Sequence, residues 1–420
     1  KHWFYGLKIL NISSIQNLSI IKFLITKSIK KMINRVFKKY LSNIGQKIIT
    51  GSLTITLPNN ENLEFSGKGD LKSNLKLNSF RPLMRTIISG HVGFAESYLK
   101  GEWTSSDLES LLEIMVTNLP ESFSPRSKAH LIYNRIIHFF RENTKSRAKK
   151  NIQYHYDLGN DFYKLWLDKT MTYSSAIFKD EKESLQKAQE NKYQSLIDSL
   201  NIKSHHKVLE IGCGWGGFAE YAAKKVGCSI KGITISPSQL KFATNRIKDS
   251  KLENKVSLEL CDYRDLKGKY DRVVSIEMIE AVGEKYWKNY FKKIKDVLKK
   301  DGMAGIQVIL INNKSYQKYS KSVDFIQKYV FPGGMLPSQD KLNENYLEAG
   351  LVEVNSHSFG KSYAKTLAIW HKEFLNSLSS IKDLGFDIKF ERIFKYYFSY
   401  CKAGFTSEKI DVAQKIIKMS

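Results

Sequence analysis

The chain has 420 residues, long for a single ordinary core, and its 42% hydrophobic content with only 7 prolines excludes a disordered or low-complexity protein. A formal net charge of +25 asks for an anionic partner such as a lipid surface or a nucleic acid, unless a codon habit favouring Lys and Asn accounts for the excess. The 4 cysteines, Cys213, Cys228, Cys261 and Cys401, show neither paired metal spacing nor disulfide density, which fits a reducing compartment, the cytoplasm by default.

Residues 1–60 contain ten Lys and Arg and no acid, so the positive field is strongest at the N-terminus. The uncharged stretch Ile9 to Ile21 falls short of the roughly 18 to 20 apolar residues a membrane span needs. Met32 allows the first 31 residues to be a leader. Ile33, Val36, Phe37, Tyr40, Leu41 and Ile44 recur at helical spacing between lysines, making 1–45 a basic amphipathic segment fit for an anionic membrane or for packing on the next domain. A smaller α+β domain is expected over 46–140. It begins with a hairpin, Gly51 to Leu57 and Leu63 to Phe65 about a turn at Pro58-Asn59-Asn60, and continues as a helical region from Pro82 to Leu119 with Ser106 as a cap. The basic run 141–150 reads as a linker, and 151–420 as the second domain.

Beyond Ile202 short apolar strands alternate with helices, the pattern of a doubly wound, parallel α/β sheet. Strands are expected at Lys207 to Ile211, Ser229 to Ile235, Val256 to Cys261, Arg272 to Ile276 and Met303 to Ile311. The turn Gly212-Cys213-Gly214-Trp215-Gly216-Gly217 joins the first of these to a helix, where backbone can approach a ligand and amide hydrogens are free. Taken alone this pattern says only nucleotide. A dinucleotide site expects an acid about 20 residues on, to hold ribose hydroxyls. No acid lies between Glu220 and Asp249, where Thr234, Ile235, Ser236 and Gln239 offer hydroxyls and an amide instead. Glu210 before the loop can take the ammonium of a methionine moiety, and Asp262 after the third strand can accept from an adenine amino group. The set therefore points to S-adenosylmethionine.

Six ordered blocks, including 154–160, Met171-Thr172-Tyr173-Ser174-Ser175, Gly232 to Gln239, Asp262-Tyr263-Arg264-Asp265 and Phe331-Pro332-Gly333-Gly334, resemble cyclopropane-fatty-acyl-phospholipid synthases and the related mycolic acid cyclopropane synthases. The resemblance covers roughly Asn151 to the C-terminus, and Gly93 to Tyr98 extends it into the first domain. It implies a Rossmann-like class I methyltransferase fold. It also implies cofactor contacts from Tyr156, Tyr173, Ser174, Glu210, Gly212, Gly214, Gly216, Thr234, Ile235, Ser236, Gln239, Asp262, Tyr263, Arg264, Ile276 and Glu277.

The implied reaction is methyl transfer to a cis double bond of a phospholipid acyl chain. Proton loss from the new methyl then closes a cyclopropane, with bicarbonate as the base. Glu280, Tyr363 and the backbone of Ile309 match that base site, whereas Ser175 and Gln307 stand where the family has Cys and His. Ser and Gln can still hydrogen-bond an oxyanion, but the substitution leaves room for methylene or methyl-branched products. The implied partner is an unsaturated phospholipid in an anionic membrane surface, with the protein peripherally attached and a homodimer left open. Nucleic-acid methylation is disfavoured, because no target-base block such as Asn-Pro-Pro-Tyr occurs. A small-molecule amine methyltransferase and a lipid-binding protein without chemistry are the competing classes. A short polar pocket would favour the amine, and loss of the cofactor site the binding protein.

Overall fold

The structure, a computed structural model, describes residues 32, 34–119 and 158–420. The expected linker at 141–150, the basic segment up to residue 31, and Tyr156 with its block lie outside the described residues.

Residues 34–45 are helical (α1). Leu41 is buried and Phe37 stacks on Phe80 at 5.0 Å, so this helix packs on the domain that follows while Val36 faces solvent. Strand β1 (Thr50–Thr56) turns Leu53 and Ile55 inward by its period of two. It pairs antiparallel with β2 (Asn62–Ser66), the expected hairpin, and parallel with β3 (Lys68–Leu77). The lysine-rich β3 escaped detection because only one face of it carries apolar residues. The expected continuous helical region is two helices, α2 (Arg81–Leu99) and α3 (Leu108–Asn118), parted by the short strand β4 (Trp103–Thr104). Gly101 at φ +70° turns the chain, and Trp103, fully buried, donates its indole N–H to the Phe94 carbonyl. The cap of α3 is Asp107 rather than Ser106, its carboxylate accepting from the Ser110 amide at 3.0 Å.

The larger sheet follows α4 (Asn160–Lys164) and α5 (Leu185–Ser199). In chain order come β5 (Lys207–Ile211), α6 (Gly217–Val226), β6 (Ser229–Thr234), α7 (Pro237–Asp249), β7 (Val256–Leu260), β8 (Tyr270–Ile276), α8 (Trp287–Val297) and β9 (Leu298–Ile311). The remainder is α9 (Asn313–Tyr319), α10 (Phe325–Tyr329), α11 (Gln339–Glu348), β10 (Leu351–Ser358), α12 (Gly360–Asn376), α13 (Leu378–Asp383), α14 (Ile388–Thr406) and β11 (Ile410–Met419). The strand order is β10-β11-β9-β8-β5-β6-β7. All the strands expected from sequence are present within a few residues of their expected bounds.

One expectation needs correction: the sheet is not wholly parallel. β11 runs antiparallel between β9 and β10, with Gln414 opposite Gln307 and Val412 opposite Ile309. Gln414 and Lys415 interrupt its apolar run although both are buried, which hid the strand from a hydropathy reading. Each is satisfied, Gln414 by the Lys192 carbonyl and Gln307, Lys415 by Gln339 and Glu353.

A single apolar cluster crosses from Leu111, Leu112 and Met115 of α3 to Trp370 and Phe374 of α12 and Phe394 and Phe398 of α14. At its edge Glu109 of α3 hydrogen-bonds His371 of α12 and Lys402 of α14. Burial alone would raise this carboxyl, but the two bonds and their charges prevail and hold it down at about 2.

Candidate active site

One cavity of about 570 Å³ extends from the glycine-rich turn after β5 to the apolar faces of α3 and α14. Its volume is in the range of small-molecule sites. At the first end Gly212 (φ +83°) and Gly214 (φ +50°) hold conformations that side chains rarely adopt. A Cβ at Gly214 would meet nothing nearer than the Gln239 amide nitrogen at 4.0 Å, so the backbone there faces open space.

Glu210, at the end of β5, is 3% exposed, and its Oε2 has no hydrogen-bond partner among the described residues. Burial pushes its carboxyl up to about 8 against the opposing charge of Lys192. A buried acid left unsatisfied in the wall of a cavity fits a cationic ligand group such as the ammonium of S-adenosylmethionine. Thr234 at the end of β6, Ile235 after it and Gln239 in the first turn of α7, with Tyr263, Arg264 and Asp262 after β7 and Ile276 at the end of β8, line the same cavity. Asp262 is already held bidentately by Arg264, at 2.8 Å to each oxygen, so the pair presents itself as a unit.

Two expected contacts lie behind this wall. Gly216, at φ +81°, is the N-cap of α6, and a Cβ there would come within 3.1 Å of the Ala243 Cβ, so it serves helix packing. Ser236 is the N-cap of α7, its hydroxyl accepting from the Gln239 amide and pairing with Ser238. Neither reaches the cavity, since each is engaged where strand hands over to helix. Tyr173 and Ser174 do reach it; the Tyr173 hydroxyl donates to Tyr397 at 3.0 Å, and Ser174 accepts from Lys192 at 2.8 Å.

Midway along the cavity stand Glu277, Glu280, Ile309 and Tyr363. Glu280 Oε1 accepts from the Ile309 amide at 2.6 Å, while its Oε2 is buried without a partner among the described residues. Burial and repulsion from Glu277 lift this carboxyl to about 8. Glu277 has φ +48° and accepts three hydrogen bonds: from the Tyr363 hydroxyl at 2.7 Å, the Gln307 amide at 2.8 Å and the Ser175 backbone N–H at 2.8 Å. Ser175 and Gln307, both fully buried, lie behind Glu277 and do not line the cavity. The Ser175 hydroxyl is spent on the Ala176 carbonyl.

A family model described as mycolic acid cyclopropane synthetase matches residues 143–415. The chain belongs to this family. The tuberculostearic acid methyltransferase UfaA1 of Mycobacterium tuberculosis is 37% identical over 77% of this chain and 78% of its own. The cyclopropane-fatty-acyl-phospholipid synthase of Escherichia coli strain K12 is 34% identical over 79% of this chain and 84% of its own. The mycolic acid cyclopropane synthase CmaA1, solved with SAH and CTAB, superimposes with a TM-score of 0.60 at 28% identity, covering 64% of this chain and 97% of that one. The chain is thus an S-adenosylmethionine-dependent methyltransferase of the lipid-modifying cyclopropane synthetase family, on a class I methyltransferase fold.

For a member of this family the far end of the cavity is informative. Leu112, Met115 and Val116 of α3 and its C-cap Leu119, with Tyr396, Tyr397 and Tyr400 of α14, give it apolar walls. Of the aromatic side chains of α14, these three tyrosines line the cavity, Tyr396 and Tyr397 doing so from within the apolar cluster that Phe394 and Phe398 also fill.

Sequence reasoning had not assigned the α3 residues to the site, since helical spacing marks a buried face without saying what it faces. It also missed Lys192, fully buried between Ser174 Oγ and Gln189 Oε1. A signal existed: Lys192 falls on the stripe of Leu185, Ala188, Gln189 and Leu196 that α5 buries. Burial pushes the ammonium down from its ordinary value.

Proposed function

We propose that the protein transfers the methyl group of S-adenosylmethionine to the cis double bond of an unsaturated phospholipid acyl chain and that the main product is a cyclopropane. The observation that carries this is one cavity joining Glu210, whose Oε2 has no hydrogen-bond partner among the described residues, and an open glycine turn to an apolar end. Such a shape suits a cofactor beside an alkyl chain and argues against a small polar amine.

Bound at Glu210, Gly212, Gly214, Thr234, Gln239 and the Asp262–Arg264 pair, S-adenosylmethionine would supply an electrophilic methyl group. An alkene needs no base to attack it, so the residues contribute alignment and exclusion of water, which the apolar walls of α3 and α14 provide. The aromatic rings of Tyr173 and Tyr397 line the cavity and can steady positive charge on the chain. Proton loss afterwards decides between a ring and a methylene or methyl-branched chain. The relatives include both methyltransferases and cyclopropane synthases, so the family alone does not choose.

Incubation with methyl-labelled S-adenosylmethionine and vesicles of cis-unsaturated phospholipid, followed by mass spectrometry of the acyl chains, tests this. Label is expected in a saturated, ring-bearing chain; no label in lipid would refute the assignment.

The excess of Lys and Arg gives the lipid reading a second support, because each basic residue near an anionic leaflet contributes about 1 kcal/mol. Among the described residues no helix is long and apolar enough to cross a membrane. Attachment to a cytoplasmic membrane surface would then be peripheral. Sedimentation with anionic vesicles is expected to weaken as salt rises, and binding indifferent to both salt and lipid charge would contradict it.

A further inference from the structure

The donors that the family resemblance assigns to a bicarbonate ion do not fit a free ion in this protein, because carboxylates of the chain already occupy them: the Ile309 amide donates to Glu280, and the others to Glu277. Tyr363, Gln307 at the expected His position, and the backbone of Ser175 at the expected Cys position all donate to Glu277, at 2.7, 2.8 and 2.8 Å. Gln307 is itself oriented by Gln414, whose amide donates to its oxygen at 3.2 Å.

The three donors leave Glu277 in an acceptor-only role. Oε1 receives two N–H groups and Oε2 one hydroxyl, so a lone pair on Oε2 remains for another proton. The backbone at Glu277 is bent to φ +48°, a conformation costly for any residue with a side chain and held here by the surrounding bonds. Unlike Ser175 and Gln307, Glu277 lines the cavity.

We infer that Glu277 is the resident base of the reaction, a carboxylate of the chain standing in the oxyanion cradle and doing the work of an external bicarbonate. This rests on the proposed methylation of an alkene. After the methyl has been added, a C–H bond of that methyl breaks and its proton passes to Glu277 Oε2. The bonding pair closes a carbon–carbon bond to the cationic carbon, so the lipid leaves neutral and the protonated Glu277 is reset by loss of the proton to solvent. Tyr363 and Gln307 act as positioning residues that orient the carboxylate.

Burial pushes Glu277 upward, while its three hydrogen bonds and the nearby Lys192 favour the ionised form. Glu280, three residues further along the chain, spends one oxygen on the Ile309 amide and stands as a second acid in the same wall.

The test uses the full chain, as wild type, Glu277→Gln and Glu277→Gly. In wild type, label transfer into cis-unsaturated phospholipid vesicles is expected to be the same in buffer freed of carbon dioxide as with added bicarbonate. Glu277→Gln is expected to lose about 100-fold or more of that transfer, the scale of a lost general base. A thermal melt is expected to show the variant folded at the assay temperature. Glu277→Gly relieves the bent backbone and empties the cradle, so bicarbonate or formate should restore transfer at least about tenfold.

Carbon-13 NMR of labelled bicarbonate reads the cradle without any turnover: no binding to wild type is expected, and binding to Glu277→Gly. Bicarbonate dependence of the wild type, undiminished transfer by Glu277→Gln, or bicarbonate bound by neither protein would overturn the inference. Should wild type label no lipid at all, the proposed function fails, and the NMR arm still decides whether Glu277 fills an oxyanion cradle.

Discussion

Replacing Glu210 with glutamine is expected to make the free protein more stable while weakening its hold on S-adenosylmethionine by about 100-fold, the 2 to 3 kcal/mol associated with loss of a charge-assisted contact. The opposite signs follow from one observation. In the absence of ligand, Glu210 Oε2 is buried with no hydrogen-bond partner among the described residues, and a buried acid in that condition destabilises the fold. A group whose folded value is raised, here from the ordinary 4.5 to about 8, contributes most to stability below the unfolded value and loses that contribution as pH rises through the folded one. The stability gap between glutamine variant and wild type should therefore open between about pH 4.5 and 8 in thermal melts. Ligand affinity should move the other way. An ammonium seeks the ionised acid, so binding by the wild type should strengthen by up to about tenfold per pH unit below 8, then decline as the ligand amine, ordinarily near 7.7 to 8.0, loses its own proton. Calorimetry across pH 6 to 9 on both proteins reads all of this. A glutamine variant that bound as tightly as wild type would remove Glu210 from the site.

The places where sequence reasoning succeeded and failed have a common physical origin. Local chain chemistry announces itself: Gly212 and Gly214 at a strand end, the hydroxyls of 234–239 and the apolar strands on either side recur at spacings that only a doubly wound sheet explains. Contacts set by distant parts of the chain do not. Glu277 and Glu280 are three residues apart, and the resemblance implies a cofactor contact for the first and a base-site role for the second, yet the structure gives Glu277 Tyr363 and Gln307 as partners and Glu280 the Ile309 amide. Those partners arrive on α12 and β9, and Gln307 is steered by Gln414 on β11, a strand whose buried polar residues concealed it. Gly216 and Ser236 show the converse. Both sit within a nucleotide-like motif, and both are used to start helices rather than to touch the cavity.

The apolar end of the cavity supplies the second large expected effect, because α3 belongs to the part of the chain before the methyltransferase sheet. Met115 is 7% exposed and lines the cavity beside Val116. A tryptophan at 115 adds bulk where an acyl tail would lie, on an element other than those that carry the glycine turn and Glu277. Transfer to a long cis-unsaturated chain should fall by about 10 to 100-fold in kcat/KM, on the scale of 1 to 3 kcal/mol that a misfilled hydrophobic pocket costs. The affinity for S-adenosylmethionine should not change, and shorter chains should be less impaired. Overpacking itself costs about 1 to 3 kcal/mol, so a melt must show the variant folded at the assay temperature. The smaller Met115→Ala provides the control of opposite sign in volume, expected to tolerate bulkier chains. Equal loss for short and long chains would mean that the substitution acts through stability alone. An unchanged rate on every chain would place the acyl tail elsewhere and make α3 a structural neighbour of the site. A length-dependent loss would establish that the segment ahead of the sheet forms part of the substrate pocket, as its shared apolar cluster with α12 and α14 implies.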